Sequence, residues 1–296
     1  MDSKSNNFGK IIQSPIISCS RRTDIPAFLM DWVFDKIQVG YVDVVNPFNR
    51  KQVSRISLKN KDVRCWVWWS KNFENWITMY EKHPQVFKSY KGHYFQFTIN
   101  SPSELEQNLK ISLEKRFSQL DCLIKEFGSN AISFRFDPII IYKRKDEKRI
   151  SSNLDKFEYI IESISALGLK EMIFSFATIY SKVNNRMQKR GYIPVDPPLN
   201  KKKEILNSLL EICNKYDMQM EACCQPDLID NKGIKQAHCI DANKIERLIG
   251  EKIQKSKDTG QRKGCGCFKS KDIGGYSGIF RCKHNCSYCY ASPAKK

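Results

Sequence analysis

The sequence predicts an α/β fold: a full or partial β/α (TIM-like) barrel with an irregular, Cys-rich module at its C-terminal end. Three observations predict it. Short apolar runs alternate with longer amphipathic ones up to about residue 230, the pattern that builds a parallel sheet flanked by helices. Most of those runs end in charged or amide side chains, as barrel strands do at the face that carries chemistry. Eight of the 12 cysteines fall between Cys223 and Cys289, in a stretch rich in Gly and Lys. The expected division is a barrel over 1–230 and a cysteine module over 231–296 that closes over the barrel mouth.

Strands are expected over residues 15–20, 41–46, 63–70, 94–99, 131–136, 171–177 and 218–223. Helices are expected over 26–39, 74–82, 103–127, 152–167 and 201–216, with a short one at 241–253. Ser103-x-x-Glu106 reads as a capping box. Gly128 and Gly168 stand where a helix end takes positive φ. The first run ends in Ser20-Arg21-Arg22-Thr23-Asp24, the second in Asn46-Pro47-Phe48-Asn49 and the third in Ser70-Lys71-Asn72. Thr98 and Asn100 close the fourth, Arg135-Phe136-Asp137-Pro138 the fifth, and Glu221-Ala222-Cys223-Cys224 the seventh. Arg21, Arg22, Asp24, Lys71, Asp137 and Glu221 are therefore the candidate catalytic residues. Arginines grip carboxylate or phosphate in bidentate fashion, Lys71 adds an anion contact, and the carboxylates offer anchors or proton acceptors. Salt bridges across the mouth are the competing role for each. All five tryptophans lie between Trp32 and Trp76, with Trp66 and Trp68 on one strand face and Trp69 on the other. Sheet-to-helix packing or base stacking would account for them.

The chain has 296 residues, 41% of them hydrophobic, which supports a sizeable core and excludes global disorder. No run approaches the ~18 apolar residues a membrane helix needs. Met1-Asp2-Ser3-Lys4 opens a polar start without a signal-peptide stretch, so a cytoplasmic setting is expected, with no membrane partner. A reducing cytosol disfavours structural disulfides and turns clustered cysteines toward metal or catalysis. Cys19, Cys65, Cys122 and Cys213, scattered among apolar residues, are expected in the core. The net charge is +18, and residues 251–296 hold 11 basic and three acidic side chains. Such a face attracts phosphate, so nucleic acid and anionic small molecules are both open as partners.

The sharpest signal is Arg281-Cys282-Lys283-His284-Asn285-Cys286-Ser287-Tyr288-Cys289-Tyr290-Ala291, a C-x3-C-x2-C spacing with an aromatic before the third cysteine. Three thiolates so close can converge on one soft centre. A structural zinc wants four ligands, and His284 could supply the fourth. A 4Fe–4S cluster held by three cysteines instead leaves one iron open. Cys239, Cys265, Cys267 and one of Cys223 or Cys224 make a second set, enough to close an auxiliary iron–sulfur cluster or a zinc site.

Cys282 to Ala291 resembles the cluster motif of radical S-adenosylmethionine enzymes, in particular the spore photoproduct lyase-like branch. More broadly, the chain from Ile17 to Ala291 is similar to a bacterial family named domain of unknown function 1848. That likeness rests on Ser18-Cys19-Ser20-Arg21-Arg22-Thr23-Asp24-Ile25-Pro26-Ala27, Phe95-Gln96-Phe97-Thr98 and Arg135-Phe136-Asp137-Pro138. It continues through Cys239-Ile240-Asp241, Cys265-Gly266-Cys267, Ser270-Lys271-Asp272-Ile273-Gly274 and the final triplet. The first resemblance implies that Cys282, Cys286 and Cys289 hold a 4Fe–4S cluster, with Tyr288 near the adenine of S-adenosylmethionine. It also implies a 5′-deoxyadenosyl radical, a small reductant protein of flavodoxin or ferredoxin type, and a β/α-barrel host. The substrate class stays open among an anionic metabolite, a peptide and a nucleic-acid lesion. Non-catalytic nucleic-acid binding with structural zinc, and iron–sulfur redox sensing, are the other readings. In those enzymes the triplet follows the first strand. Here it lies at the far end of the chain, which has to carry it back over the barrel mouth.

Overall fold

Eight parallel strands make the main sheet of the computed structural model, which describes residues 10–47, 49–229, 233–262 and 264–291. They are β1 (Ile16–Cys19), β2 (Cys65–Ser70), β3 (Gly92–Thr98), β4 (Ile132–Ile139), β5 (Glu171–Phe176), β6 (Gln219–Ala222), β7 (Ile234–Gln236) and β8 (Lys271–Asp272). Their order is β7-β6-β5-β4-β3-β2-β1-β8. The first seven therefore lie side by side in chain order, and β8 returns to pair with β1 through Ile17–Lys271 and Ser18–Asp272. The helices are α1 (Met30–Val39), α2 (Glu74–Lys82), α3 (Leu113–Phe127), α4 (Phe157–Ala166), α5 (Ser181–Lys189), α6 (Leu199–Lys215) and α7 (Ala242–Ile249), with short pieces at Ile25–Phe28 and Pro84–Lys88. No helix among the described residues is long and apolar enough to cross a membrane.

Side-chain alternation gives the sheet two different faces. Ile17, Trp66, Trp68, Phe95, Phe97, Phe134, Phe136, Phe174 and Met220 bury one face against Val33, Trp76, Leu120, Ile160 and Leu209 of the helices. Trp66 and Trp68 stack there at 5.0 Å, and Trp76 meets Phe95 edge-on at 4.8 Å, so these rings serve packing. Ile16, Cys65, Val67, Tyr94, Ile173 and Cys223 face the other way. They are covered by Ala237, Cys239, Ile240, Ile245, Cys265 and Cys267. Chain that follows β7 thus packs on the face the helices leave free. α7 comes so close to β3 that a Cβ at Gly92 would stand 2.6 Å from Ile249.

Several sequence expectations need correction. The run at 41–46 forms a strand, Tyr41–Val45, but pairs antiparallel with Val53–Ser57 outside the main sheet. Its seven-residue connection (46–52) is too short for a parallel crossover, which takes a dozen or more residues. Phe48 of the Asn46-Pro47-Phe48-Asn49 turn lies outside the described residues, as does the polar start at residues 1–7. The helix expected from residue 103 begins at Leu113, capped by Ser112 Oγ, which accepts from Lys115 N–H at 3.2 Å. The box at Ser103 fails because Lys71 and Tyr288 take the Glu106 carboxylate instead. Helix 26–39 breaks at Leu29, where φ is −137°. Cys19, Cys65 and Cys213 are buried as expected, whereas Cys122 is exposed on α3. Gly128 and Gly168 hold φ of +81° and +82° past their helices.

His93 gives the core a pH dependence. Trp68 Nε1–H donates to its Nδ1 at 3.0 Å, and its Nε2–H donates to the Phe87 carbonyl at 3.0 Å, so the ring is neutral and saturated. Burial lowers its pKa from 6.5 to about 4. Between those values the unfolded chain takes a proton the folded chain refuses. Stability is therefore full above pH 6.5 and falls by about 3 kcal/mol as pH drops to 4. Denaturant titrations across that window should show this slope in the wild type and a flatter profile in His93→Gln; identical profiles would contradict it.

Candidate metal centre

The triplet sits on the loop after β8, and its main anchors are side chains from elsewhere in the fold. Asp24 stands at the C-terminal end of β1. Its Oδ1 accepts from Ala27 N–H at 3.0 Å and Ser70 Oγ–H at 2.7 Å, and its Oδ2 accepts from Lys71 N–H at 2.9 Å. The fourth partner is His284 within the triplet loop, whose Nε2 lies 2.8 Å from Oδ2. One carboxylate thereby ties together the ends of β1 and β2, the cap of the Ile25–Phe28 helix and the cysteine loop.

A second anchor runs through Glu106. Its Oε1 accepts from Lys71 Nζ at 2.7 Å and from the Tyr288 hydroxyl, all three residues being buried or nearly so. Burial by itself would lower the Lys71 pKa; the Glu106 carboxylate more than offsets it and holds the ammonium charged. Burial likewise opposes a Glu106 carboxylate, but Lys71 keeps it below its usual range. Tyr288 packs with Leu105, Ile140, Tyr142 and Cys286.

The third anchor is a pair of arginines one turn apart at the end of α5. Arg186 donates to the carbonyls of Ser287 at 2.9 Å, Ala291 at 3.4 Å and Cys289. Arg190 donates to the Asn285 carbonyl at 2.8 Å, to Ser287 Oγ at 2.9 Å and to Asn285 Oδ1 at 2.6 Å. Asn285 itself takes φ of +56°, a conformation Asn tolerates well. Ser287 N–H reaches the Leu105 carbonyl at 2.7 Å, Asn108 Nδ2 donates to Lys283 O at 2.8 Å, and Tyr290 O–H donates to Arg21 O at 2.7 Å.

These contacts engage the loop's backbone and its other side chains. Cys282 Sγ receives backbone N–H groups of His284 and Asp24, and Ala291 N–H points at Cys289 Sγ from 3.4 Å. Cys286 feels the charge of both Cys282 and Cys289, and Cys282 that of Cys289. Burial pushes the Cys282 thiol up to about 12 and raises Cys286 and Cys289 as well. His284 Nδ1 is buried without a hydrogen-bond partner among the described residues.

The second set gathers on the free face of the sheet. Cys223 Sγ lies 3.2 Å from Cys239 Sγ and 4.0 Å from Cys224 Sγ, while Cys265 and Cys267 interact with Cys224 and Cys239 respectively and with one another. Arg135 on β4 donates to Cys239 Sγ at 3.0 Å and to Gln96 Oε1 at 3.1 Å, and Gln96 Nε2–H donates to the Cys239 carbonyl at 2.7 Å. Hydrogen bonds from Cys223 and Cys267, with the Arg135 charge, hold Cys239 well below the usual thiol range. Gly266 can have no side chain, because a Cβ would stand 2.7 Å from the His238 ring. Among the described residues no group of three or more His, Cys, Asp or Glu side chains stands in a geometry that could hold a metal ion.

The other candidate residues are largely engaged with the fold. Arg21 donates to Asp258 at 3.1 Å and Ser270 Oγ at 2.9 Å, and its backbone N–H reaches Asp272. Arg22 donates to the Gly274 carbonyl at 3.0 Å. Asp137 accepts from Arg135 and from Ser175 Oγ. Glu221 is buried beside Glu171, Asp241 and Lys244, and burial raises its pKa. The strand-end reading did not reveal Glu106, Asp272, Arg186 or Arg190. Of these only the i,i+4 spacing of the two arginines carried a local signal.

An α/β fold with a parallel eight-stranded sheet and a cysteine loop docked on its strand ends is the class that these features define. The chain belongs to the family Domain of unknown function (DUF1848), whose model matches residues 16–291. No curated protein and no solved structure matches it.

Arg186→Ala combined with Arg190→Ala strips the loop carbonyls of their donors, each charged hydrogen bond contributing about 1.5–3 kcal/mol. Hydrogen–deuterium exchange should accelerate in residues 282–291 while β2 to β5 keep their protection. Unchanged exchange in the loop would contradict the clamp.

Proposed function

We propose that this chain is a radical S-adenosylmethionine enzyme, with Cys282, Cys286 and Cys289 holding a 4Fe–4S cluster at the mouth of a β/α barrel. The single observation that carries the reading is the triplet loop. Its C-x3-C-x2-C cysteines are returned from the end of the chain to the C-terminal ends of β1 and β2, anchored by Asp24, Glu106, Arg186 and Arg190. The donor set fits the group: three sulfurs, two receiving backbone N–H groups of the kind that tune cluster sulfurs. Binding requires the side chains to turn toward one point and lose their protons.

The chemistry such a group supplies when bound is reductive cleavage of S-adenosylmethionine to methionine and a 5′-deoxyadenosyl radical, which takes a hydrogen atom from the substrate. The chain's own residues position the loop. Asp24 orients His284, the Lys71–Glu106 pair fixes Tyr288, and the α5 arginines cap the loop carbonyls. The strand order, with β8 returning beside β1, supports a barrel whose seam lies between β7 and β8. Cys239, Cys265, Cys267 and one of Cys223 or Cys224, with Arg135 against Cys239, would supply the ligands of an auxiliary iron–sulfur cluster or a zinc. The basic stretch from residue 251 suits an anionic substrate and an acidic reductant protein of flavodoxin or ferredoxin type.

One observation favours a second reading. His284 presents Nδ1 unpartnered while Nε2 bonds Asp24, the carboxylate–histidine arrangement found behind zinc ligands. A Cys3His zinc site would follow from it. Anaerobic reconstitution separates the two. The expected outcome is uptake of iron and sulfide that falls by one cluster in Cys282→Ala/Cys286→Ala/Cys289→Ala, with 5′-deoxyadenosine formed on reduction with S-adenosylmethionine by the wild type alone. Zinc without iron, or iron without 5′-deoxyadenosine, would overturn the enzyme reading.

A further inference from the structure

Five sulfurs close a ring on the free face of the sheet. Cys223 Sγ stands 3.2 Å from Cys239 Sγ and 4.0 Å from Cys224 Sγ. Cys239 meets Cys267, Cys267 meets Cys265, and Cys265 meets Cys224. Cys223 follows β6, Cys239 follows β7, and Cys265 and Cys267 precede β8, so the ring gathers three stretches of chain. Four of the five are buried, Cys223 at 8% exposure, Cys265 at 6%, and Cys239 and Cys267 at 3%. Cys224, with φ of +54°, is only half-buried. Fixed donors reach the buried sulfurs: Arg135 Nη1–H on Cys239 at 3.0 Å, Ile240 N–H on Cys267 at 3.5 Å and Cys267 N–H on Cys265 at 3.5 Å.

Sulfur spacing separates the two kinds of centre such a set could hold. Four thiolates at about 2.3 Å from one ion stand roughly 3.8 Å from each other, at the corners of a tetrahedron. The 3.2 Å contact between Cys223 and Cys239 needs only a small opening to reach that spacing. In a four-iron cluster each cysteine holds a different iron, so the sulfurs stand farther apart by the length of an iron–iron edge. Sulfurs in mutual contact leave no room for that core. As thiols the five hold one another, and among the described residues no three stand in a geometry that could hold an ion. Loss of their protons ends those thiol contacts and lets the side chains turn inward. We propose that Cys223, Cys239, Cys265 and Cys267 bind a single thiophilic ion, zinc above all, in a closed tetrahedral site, with Cys224 left outside it. The proposal rests on the second set being a metal site and not on what the triplet loop binds. A closed tetrathiolate site has no open position and is structural; it pins the irregular chain after β7 to the sheet.

The full chain carrying Cys282→Ala, Cys286→Ala and Cys289→Ala isolates this site. Offered zinc anaerobically, it should bind one ion per chain; offered iron and sulfide instead, it should retain no inorganic sulfide. Alkylation read by mass spectrometry should label Cys224 with and without zinc, and should label the other four only in the metal-free chain. Cys224→Ala should keep the zinc and Cys239→Ala should lose it; the alkylation pattern, read without either substitution, guards against a folding defect. Four irons with sulfide would leave the second set a metal centre and overturn the single ion. No metal in either arm, or a Cys223–Cys239 disulfide in its place, would overturn both. Protection of Cys224 by zinc, or labelling of the other four that zinc does not change, would overturn the ligand assignment.

Discussion

The structure turns on one carboxylate. Asp24 caps the short helix that follows β1, and its four side-chain hydrogen bonds run to Ala27, Ser70, Lys71 and His284. The first three belong to the sheet and its first helix. The fourth lies 260 residues away and determines where the cysteine loop docks. A buried carboxylate left with a missing donor is strongly disfavoured, so the strand ends and the loop are held as one unit. Lys71 carries the same coupling further, because its backbone meets Asp24 and its ammonium meets Glu106, which in turn holds Tyr288.

Around that hub the two sheet faces divide the labour. One is lined with Trp and Phe and is covered by helices. The other presents Cys65, Gln96, Arg135 and Cys223 to a chain segment with little regular structure of its own. That segment gains its order from polar contacts, such as Gln96 and Arg135 on Cys239 and Asp272 on Ser18 and Ser20. An apolar face would offer it nothing to bind in register. In both sets some sulfurs meet fixed donors, Cys282 and Cys289 from backbone N–H groups and Cys239 from Arg135, of the kind a thiolate-bound centre requires of its scaffold.

Much of this was legible in the sequence. β1 through β6 appear as apolar runs because each buries side chains on both faces, and the charged residues at their ends mark the edge where the loop docks. β7 and β8 were not legible, since strands of three and two residues show no alternation. Residues 103–112 misled for a physical reason. Ser103 and Glu106 have the spacing of a helix start, but the Glu106 carboxylate is worth more to Lys71 and Tyr288 than to a backbone N–H. The rim residues were found by position and their partners were not. Arg21 with Asp258, Asp24 with His284 and Lys71 with Glu106 are pairings across the fold, and no local pattern announces them. The cysteine triplet was legible by spacing alone; its clamp by Arg186 and Arg190 emerged only once α5 had a direction.

The central claim is that the triplet loop presents an open iron at the strand ends. Electron paramagnetic resonance of the reconstituted, chemically reduced protein tests it most directly, with and without S-adenosylmethionine. The account predicts a 4Fe–4S signal whose g-values shift on adding S-adenosylmethionine, and the loss of that responsive signal in Cys286→Ala while any signal from the second cysteine set persists. A signal indifferent to S-adenosylmethionine, or one unchanged in Cys286→Ala, would contradict it.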